Sequence, residues 1–139
     1  GVEADIWGCP SFNELVRDGQ DAARWNLLHP LEAPRQSHVE QKLDGAVGPV
    51  IAATDYMKSF ADQVRAFVPT ENYRVLGTDG YGRSDSRANL RRHFEVNEFY
   101  VVVAALTELA KRGEVDKQVV ADAIAKYGID ADKVNPLYA

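Results

Sequence analysis

The chain has 139 residues, 45% of them hydrophobic and 27% charged, with 16 basic residues against 21 acidic ones and a net charge of −5. That is enough chain for one domain with a real core and too little for two, and the composition is that of a globular protein rather than a disordered one. The acidic balance argues against a nucleic-acid partner, which requires a basic face to release counterions. No run reaches the 18 apolar residues of a membrane span, and a lone Cys9 gives neither a disulfide framework nor a CxxC metal site. A cytoplasmic setting is the expectation.

Taken in order, Val2, Ala4 and Ile6 alternate with Glu3, Asp5 and Trp7 and predict a strand. A strand at the very first residue suggests that an upstream piece is missing. Ser11-Phe12-Asn13-Glu14 has the spacing of a capping box for a short helix, and a second helical segment is expected over about 20–28, ending before Pro30. Leu31 to Arg35 reads as an irregular connector. Ser37 to Glu40 repeats the capping spacing and opens a brief helix to about Leu43.

Val50 to Ala53 is apolar throughout, as strands covered on both faces are. Thr54 and Asp55 are expected to cap an amphipathic helix with Met57, Phe60, Ala61, Val64, Phe67 and Val68 on one face, closed by Pro69. Tyr73 to Leu76 is a second β-type run. It opens into Gly77-Thr78-Asp79-Gly80-Tyr81-Gly82-Arg83, and a helix capped by Ser84 or Asp85 follows, with Leu90 and Phe94 facing a core. Asn97 caps a helix over about 98–112 that ends at Gly113, and Asp116 caps a last one ending at Gly128. The polar tail, 129–139, is expected to lie across the surface. The alternation of strands and helices predicts an α/β fold with a mostly parallel sheet of three strands flanked by helices.

The turn at the carboxyl end of the second β-run is the candidate site, because ligands of open α/β sheets gather at that edge. Gly77, Gly80 and Gly82 could cradle a phosphate, or could simply supply positive φ to a tight turn. No Lys-Ser/Thr follows them as in a P-loop, and the dinucleotide-binding spacing is absent. His29, His38 and His93 match no metal-ligand spacing, no acidic pair stands out, and a helix cap accounts for Ser84 and Ser86 better than a nucleophile does. If the chain is part of a larger protein, the polar residues Asp79, Tyr81, Arg83, Asp85 and Arg87 are candidate contacts with a channel mouth or a neighbouring domain; the alternative is a solvated loop with a helix cap. No catalytic, cofactor-binding or metal residue is assigned.

Three stretches, TDGYGRSDSRANLRRHFEV (78–96), YVVVAALTELAKRGEV (100–115) and AIAKYGIDADKVNP (123–136), resemble the C-terminal end of the homodimeric pyruvate dehydrogenases. GVEADIW (1–7), SFNELVRDGQDAARWNLLHPLE (11–32) and ATDYMKSFADQVRAFVP (53–69) are similar to the same region, so the resemblance covers the chain. The looser pattern of Gly77, Asp79, Tyr81, Gly82 and Ser84 is shared with the transketolase superfamily. The resemblance implies a transketolase C-terminal domain-like fold over residues 1–139, lacking its first strand and helix.

It also implies a parent oxidoreductase that decarboxylates pyruvate with thiamine diphosphate and Mg and passes the acetyl group to lipoyl groups of an acyltransferase core. The parent would be a cytoplasmic homodimer within a multienzyme complex, linking glycolysis to acetyl-CoA. Both cofactors would be held by domains absent here, since Asp79-Gly80 lacks the partner asparagines of the diphosphate-and-metal motif. The expected partners are the upstream domains of the same subunit, a second subunit and the acyltransferase core, with no nucleic acid and no membrane. This chain alone is expected to be inactive. The alternative is a free-standing, non-catalytic binding or interaction module.

Overall fold

The computed structural model describes residues 2–139. Two strands, β1 (Val50–Ala53) and β2 (Tyr73–Leu76), pair in parallel with Val50 opposite Tyr73 and Ala53 opposite Leu76. Six helices surround them: α1 (Phe12–Leu28), α2 (His38–Lys42), α3 (Lys58–Asp62), α4 (Arg87–His93), α5 (Glu98–Lys111) and α6 (Lys117–Lys126). The α/β class and the limits of both strands agree with the sequence reading.

Successive strand residues face opposite sides of a sheet, and β2 shows the division. Tyr73 and Val75 join Val16, Val39, Val64 and Val68 in an apolar cluster with Phe12, Leu15, Leu43, Val50, Ala52 and Phe67. This cluster welds α1, α2 and the segment that follows α3 to one face. Fully burying a side chain of this size stabilises a fold by about 1.5–3 kcal/mol, and the partly buried members of the cluster contribute less. Arg74, between Tyr73 and Val75, reaches the other way to α5, where its Nε donates to Glu108 Oε1 at 2.5 Å. Lys111 Nζ lies 3.0 Å from the same oxygen, and Asn72 Nδ2 donates to Oε2 at 3.4 Å. Glu108 is 4% exposed. Burial pushes its carboxyl pKa up, but the hydrogen bonds from Lys111, Arg74 and Asn72 outweigh that and hold it below the usual range.

Several expectations need correction. The strand over Val2–Trp7 does not form: this segment is irregular and exposed, with Ile6 95% accessible, so the described sheet has two strands rather than three. Alternation marks two faces, but a strand exists only where another backbone supplies its hydrogen bonds. The two short helices expected before Pro30 are one, α1. It runs through Gly19, where a Cβ would sit 2.5 Å from the Phe67 ring.

Thr54 and Asp55 do not cap α3. Thr54 Oγ1 instead accepts from Tyr56 N at 3.1 Å, and the helix starts after Met57 with no side-chain cap. The amphipathic run is then broken, continuing as a 3-10 turn over Arg65–Phe67. Neither Ser84 nor Asp85 is the N-cap of α4; Ser86 is, its Oγ accepting from Asn89 N at 3.3 Å. The caps at Ser11, Ser37, Asn97 and Asp116 are those expected, and Gly113 and Gly128 follow α5 and α6 with positive φ.

Candidate functional site

The chain leaves β2 into a turn held from three directions. Gly77 is pressed against the stretch ahead of α3, where a Cβ would come within 2.7 Å of Lys58 N and 2.8 Å of Tyr56 O. Thr78 N donates to Tyr56 O at 2.9 Å, and its hydroxyl donates to Asp55 O at 2.8 Å. Asp79 Oδ1 accepts from Lys58 N at 3.2 Å, and Oδ2 lies 3.8 Å from Lys58 Nζ. Gly80 has φ +109 and packs against the backbone of Pro136 and Leu137 so closely that a Cβ would collide with the Pro136 carbonyl. The tail therefore grips the turn rather than lying loosely across the surface. Gly82 has open space around it and no positive φ, so only Gly80 holds a conformation that disfavours L-residues.

The five candidate residues do not converge on one point. Asp79 is committed to Lys58. Tyr81 projects outward, 77% exposed, and Arg87 is the exposed first residue of α4. Only Arg83 and Asp85 share a recess, of about 410 Å³, lined also by Ser84, Asn89, Leu90 and His93. Asp85 Oδ1 accepts from Asn89 Nδ2 at 2.9 Å and from Ser86 N at 2.6 Å. These bonds, Asn89 first, hold its carboxyl below the usual range.

His93 was absent from the candidates, and it is the group the structure singles out. It borders the recess and also a second hollow of about 300 Å³ formed with Asn89, Arg92, Tyr100, Ile129, Asp130 and Lys133. Its Nε2 is buried without a hydrogen-bond partner. Burial lowers its pKa, and the Arg83 and Lys133 charges lower it further against an opposing Glu95, so the ring is neutral near pH 7. Lys133 Nζ donates to the His93 carbonyl at 2.8 Å and pairs with Glu95 at 3.2 Å, tying the tail to the end of α4. Arg91, also unpredicted, pairs with Asp55 at 2.6 Å and donates to Val96 O at 2.8 Å. The pairing with Asp55 spans 36 positions, which local pattern cannot connect.

Chemically the turn is a joint. Ser86 Oγ is engaged as a cap, and Asp79 and Asp85 are engaged by backbone and side-chain donors. A diphosphate with its divalent metal needs several oxygen donors converging on one point. Among the described residues no three His, Cys, Asp or Glu side chains are grouped to hold a metal ion. The residues of this turn do not fit such a cofactor.

Residues 1–97, which include the strand–turn–helix described above, match the model of the transketolase-like TK C-terminal domain, and the chain belongs to that family. Within it, the whole chain is 66% identical over 139 residues to the pyruvate dehydrogenase E1 component of Escherichia coli (strain K12) and covers 15% of that protein. The identity to the same component of Haemophilus influenzae is 65% over 139 residues, with 16% of that protein covered. For Pseudomonas aeruginosa it is 61% over 137 residues, 99% of this chain and 16% of the relative. The chain thus spans about 15% of the length of these relatives.

Proposed function

We propose that this chain serves as the C-terminal domain of a pyruvate dehydrogenase E1 component. The activity of the whole would be that of an oxidoreductase that decarboxylates pyruvate with thiamine diphosphate and Mg and hands the acetyl group to lipoyl groups of an acyltransferase core. The observation that supports this reading is 66% identity sustained over all 139 residues. Thiamine diphosphate would supply the bond-breaking chemistry, and domains outside these residues would hold it. The part played by this chain is mechanical: a small parallel sheet braced on both faces, with a turn clamped by α3 and the tail. Arg83, Tyr81 and Arg87, exposed beside that clamp, are the side chains free to meet a neighbouring domain or the mouth of a substrate channel. A cytoplasmic homodimer is the proposed setting.

The test compares the full-length protein carrying this sequence with residues 1–139 alone. Pyruvate decarboxylation is followed with an artificial electron acceptor, and binding of thiamine diphosphate with magnesium by calorimetry. Turnover by the full-length protein and neither turnover nor saturable binding by the short chain is the expected pattern. Turnover by residues 1–139, or a full-length protein inert toward pyruvate, would overturn the proposal. Within the full-length protein, Arg83→Ala should raise KM or weaken dimerisation.

A further inference from the structure

The end of α1 and the segment that joins it to α2 combine rigidity with exposed apolar surface. Leu27 is 78%, Leu28 54% and Leu31 99% exposed, three leucines within five positions. Single exposed apolar side chains are ordinary, whereas a cluster of them marks a contact surface.

Leu27 and Leu28 are the last two residues of α1, and the connector that follows and carries Leu31 has no helix or strand, yet it is pinned at both ends. Asn26 exchanges two hydrogen bonds with the Arg35 backbone: its Nδ2 donates to Arg35 O at 2.9 Å and its Oδ1 accepts from Arg35 N at 2.7 Å. The Arg35 guanidinium lies 4.0 Å from the centre of the Trp25 ring, whose other stacking partner is His29, at 4.3 Å and 8° from parallel. His29 Nδ1 is 2.8 Å from Trp25 O, and Glu32 N donates to His29 O at 3.1 Å, closing a turn just at Leu31. The entropy of ordering this loop is spent in folding, not in binding, which is the condition under which an apolar anchor contributes most to an interface.

We infer that Leu27, Leu28 and Leu31 form a preorganised docking surface, and that its occupant is an apolar surface of the same polypeptide outside residues 1–139. The inference rests on the E1 reading above. In relatives matched at 61–66% identity the equivalent stretch is about 15% of the polypeptide, so most of each subunit is available to cover the patch.

The experiment places a photoreactive residue in the full-length protein, Leu31→p-benzoylphenylalanine, with the same substitution at Leu27 as a second probe. After irradiation, denaturing electrophoresis and peptide mapping by mass spectrometry identify what the probe touches. The expected result is a product of unchanged single-chain mass in which position 31 is joined to a peptide from outside the 139 residues. A product of doubled mass would assign the surface to a second copy and overturn the inference. So would joining only to peptides within residues 1–139, or no cross-linked peptide at either position. Pyruvate turnover by the unsubstituted full-length protein separates the two proposals. Turnover without the expected cross-link removes the docking surface alone, and the cross-link without turnover removes the E1 reading alone.

Discussion

The opening segment Val2–Pro10 and the turn Gly77–Gly82 are both without helix or strand, and both mix aromatic, acidic and glycine residues. They differ in what surrounds them. Val2, Ile6 and Trp7 project into solvent, and residues 2–10 are all exposed. The turn has Gly77 buried against the approach to α3, Asp79 bound to Lys58 and Gly80 wedged under Pro136. Absence of regular structure therefore says little about looseness. What decides it is whether distant parts of the chain meet the segment's backbone.

The sharpest way to break this comparison is at Gly80. Gly80→Val adds left-handed strain and a collision with the Pro136 carbonyl and should cost about 2–4 kcal/mol in urea melts. Gly82→Val, in open space two residues on, should stay within about 0.5 kcal/mol of wild type. Equal costs at the two positions would erase the distinction between a clamped and a free glycine.

Next in size is Glu108, which anchors α5 to the strand that feeds the turn. Glu108→Ala strands Arg74 and Lys111, both part-exposed, and should cost about 1–3 kcal/mol. Because its folded-state pKa is depressed, its stabilising contribution is present above the unfolded value of about 4.3 and is lost as pH falls through the folded value. Urea midpoints measured from pH 6 to pH 3 should fall less steeply in Glu108→Gln than in wild type.

His93 gives a smaller effect with a distinct pH window. Its folded pKa is lowered, so below an unfolded value of about 6.5 the unfolded chain binds the proton first and stability declines with pH. Comparing pH 7.5 with pH 5.5, His93→Gln should flatten part of that decline; an unchanged slope would mean that its burial has no energetic weight. Smallest of all is Ile6→Asp, expected to move the stability of the 139-residue chain by no more than about 0.5 kcal/mol because the side chain touches little. A cost of several times that would show the opening segment to be packed after all.

What could be read from sequence follows the same division. β1, β2, α5 and α6 were legible because their signals are local: an apolar run of four in β1, a short β-type run in β2, caps at Asn97 and Asp116, and glycines that stop each helix. Ser86 was missed as the cap of α4 by one or two positions, since three adjacent residues, Ser84, Asp85 and Ser86, carry the same capping chemistry. The candidate site was legible as a place but not as an arrangement. Asp79 meets Lys58 across 21 positions and Arg91 meets Asp55 across 36, and no local pattern encodes either pairing. His93 lines a hollow with Ile129, Asp130 and Lys133 of the tail, a proximity that periodicity in α4 alone does not reveal.

The contact between Gly80 and Pro136 also sets an order of events during synthesis. The two residues are some 56 positions apart, which a ribosome adding 5–20 residues per second covers in about 3–11 s. During that interval β1, α3 and β2 are already synthesised and become free to join as they emerge, since their contacts lie within a short stretch, while the far wall of the turn does not yet exist. The turn is therefore the last part of this domain to close on the nascent chain, and until then its backbone stands open to chaperones and to other newly made chains.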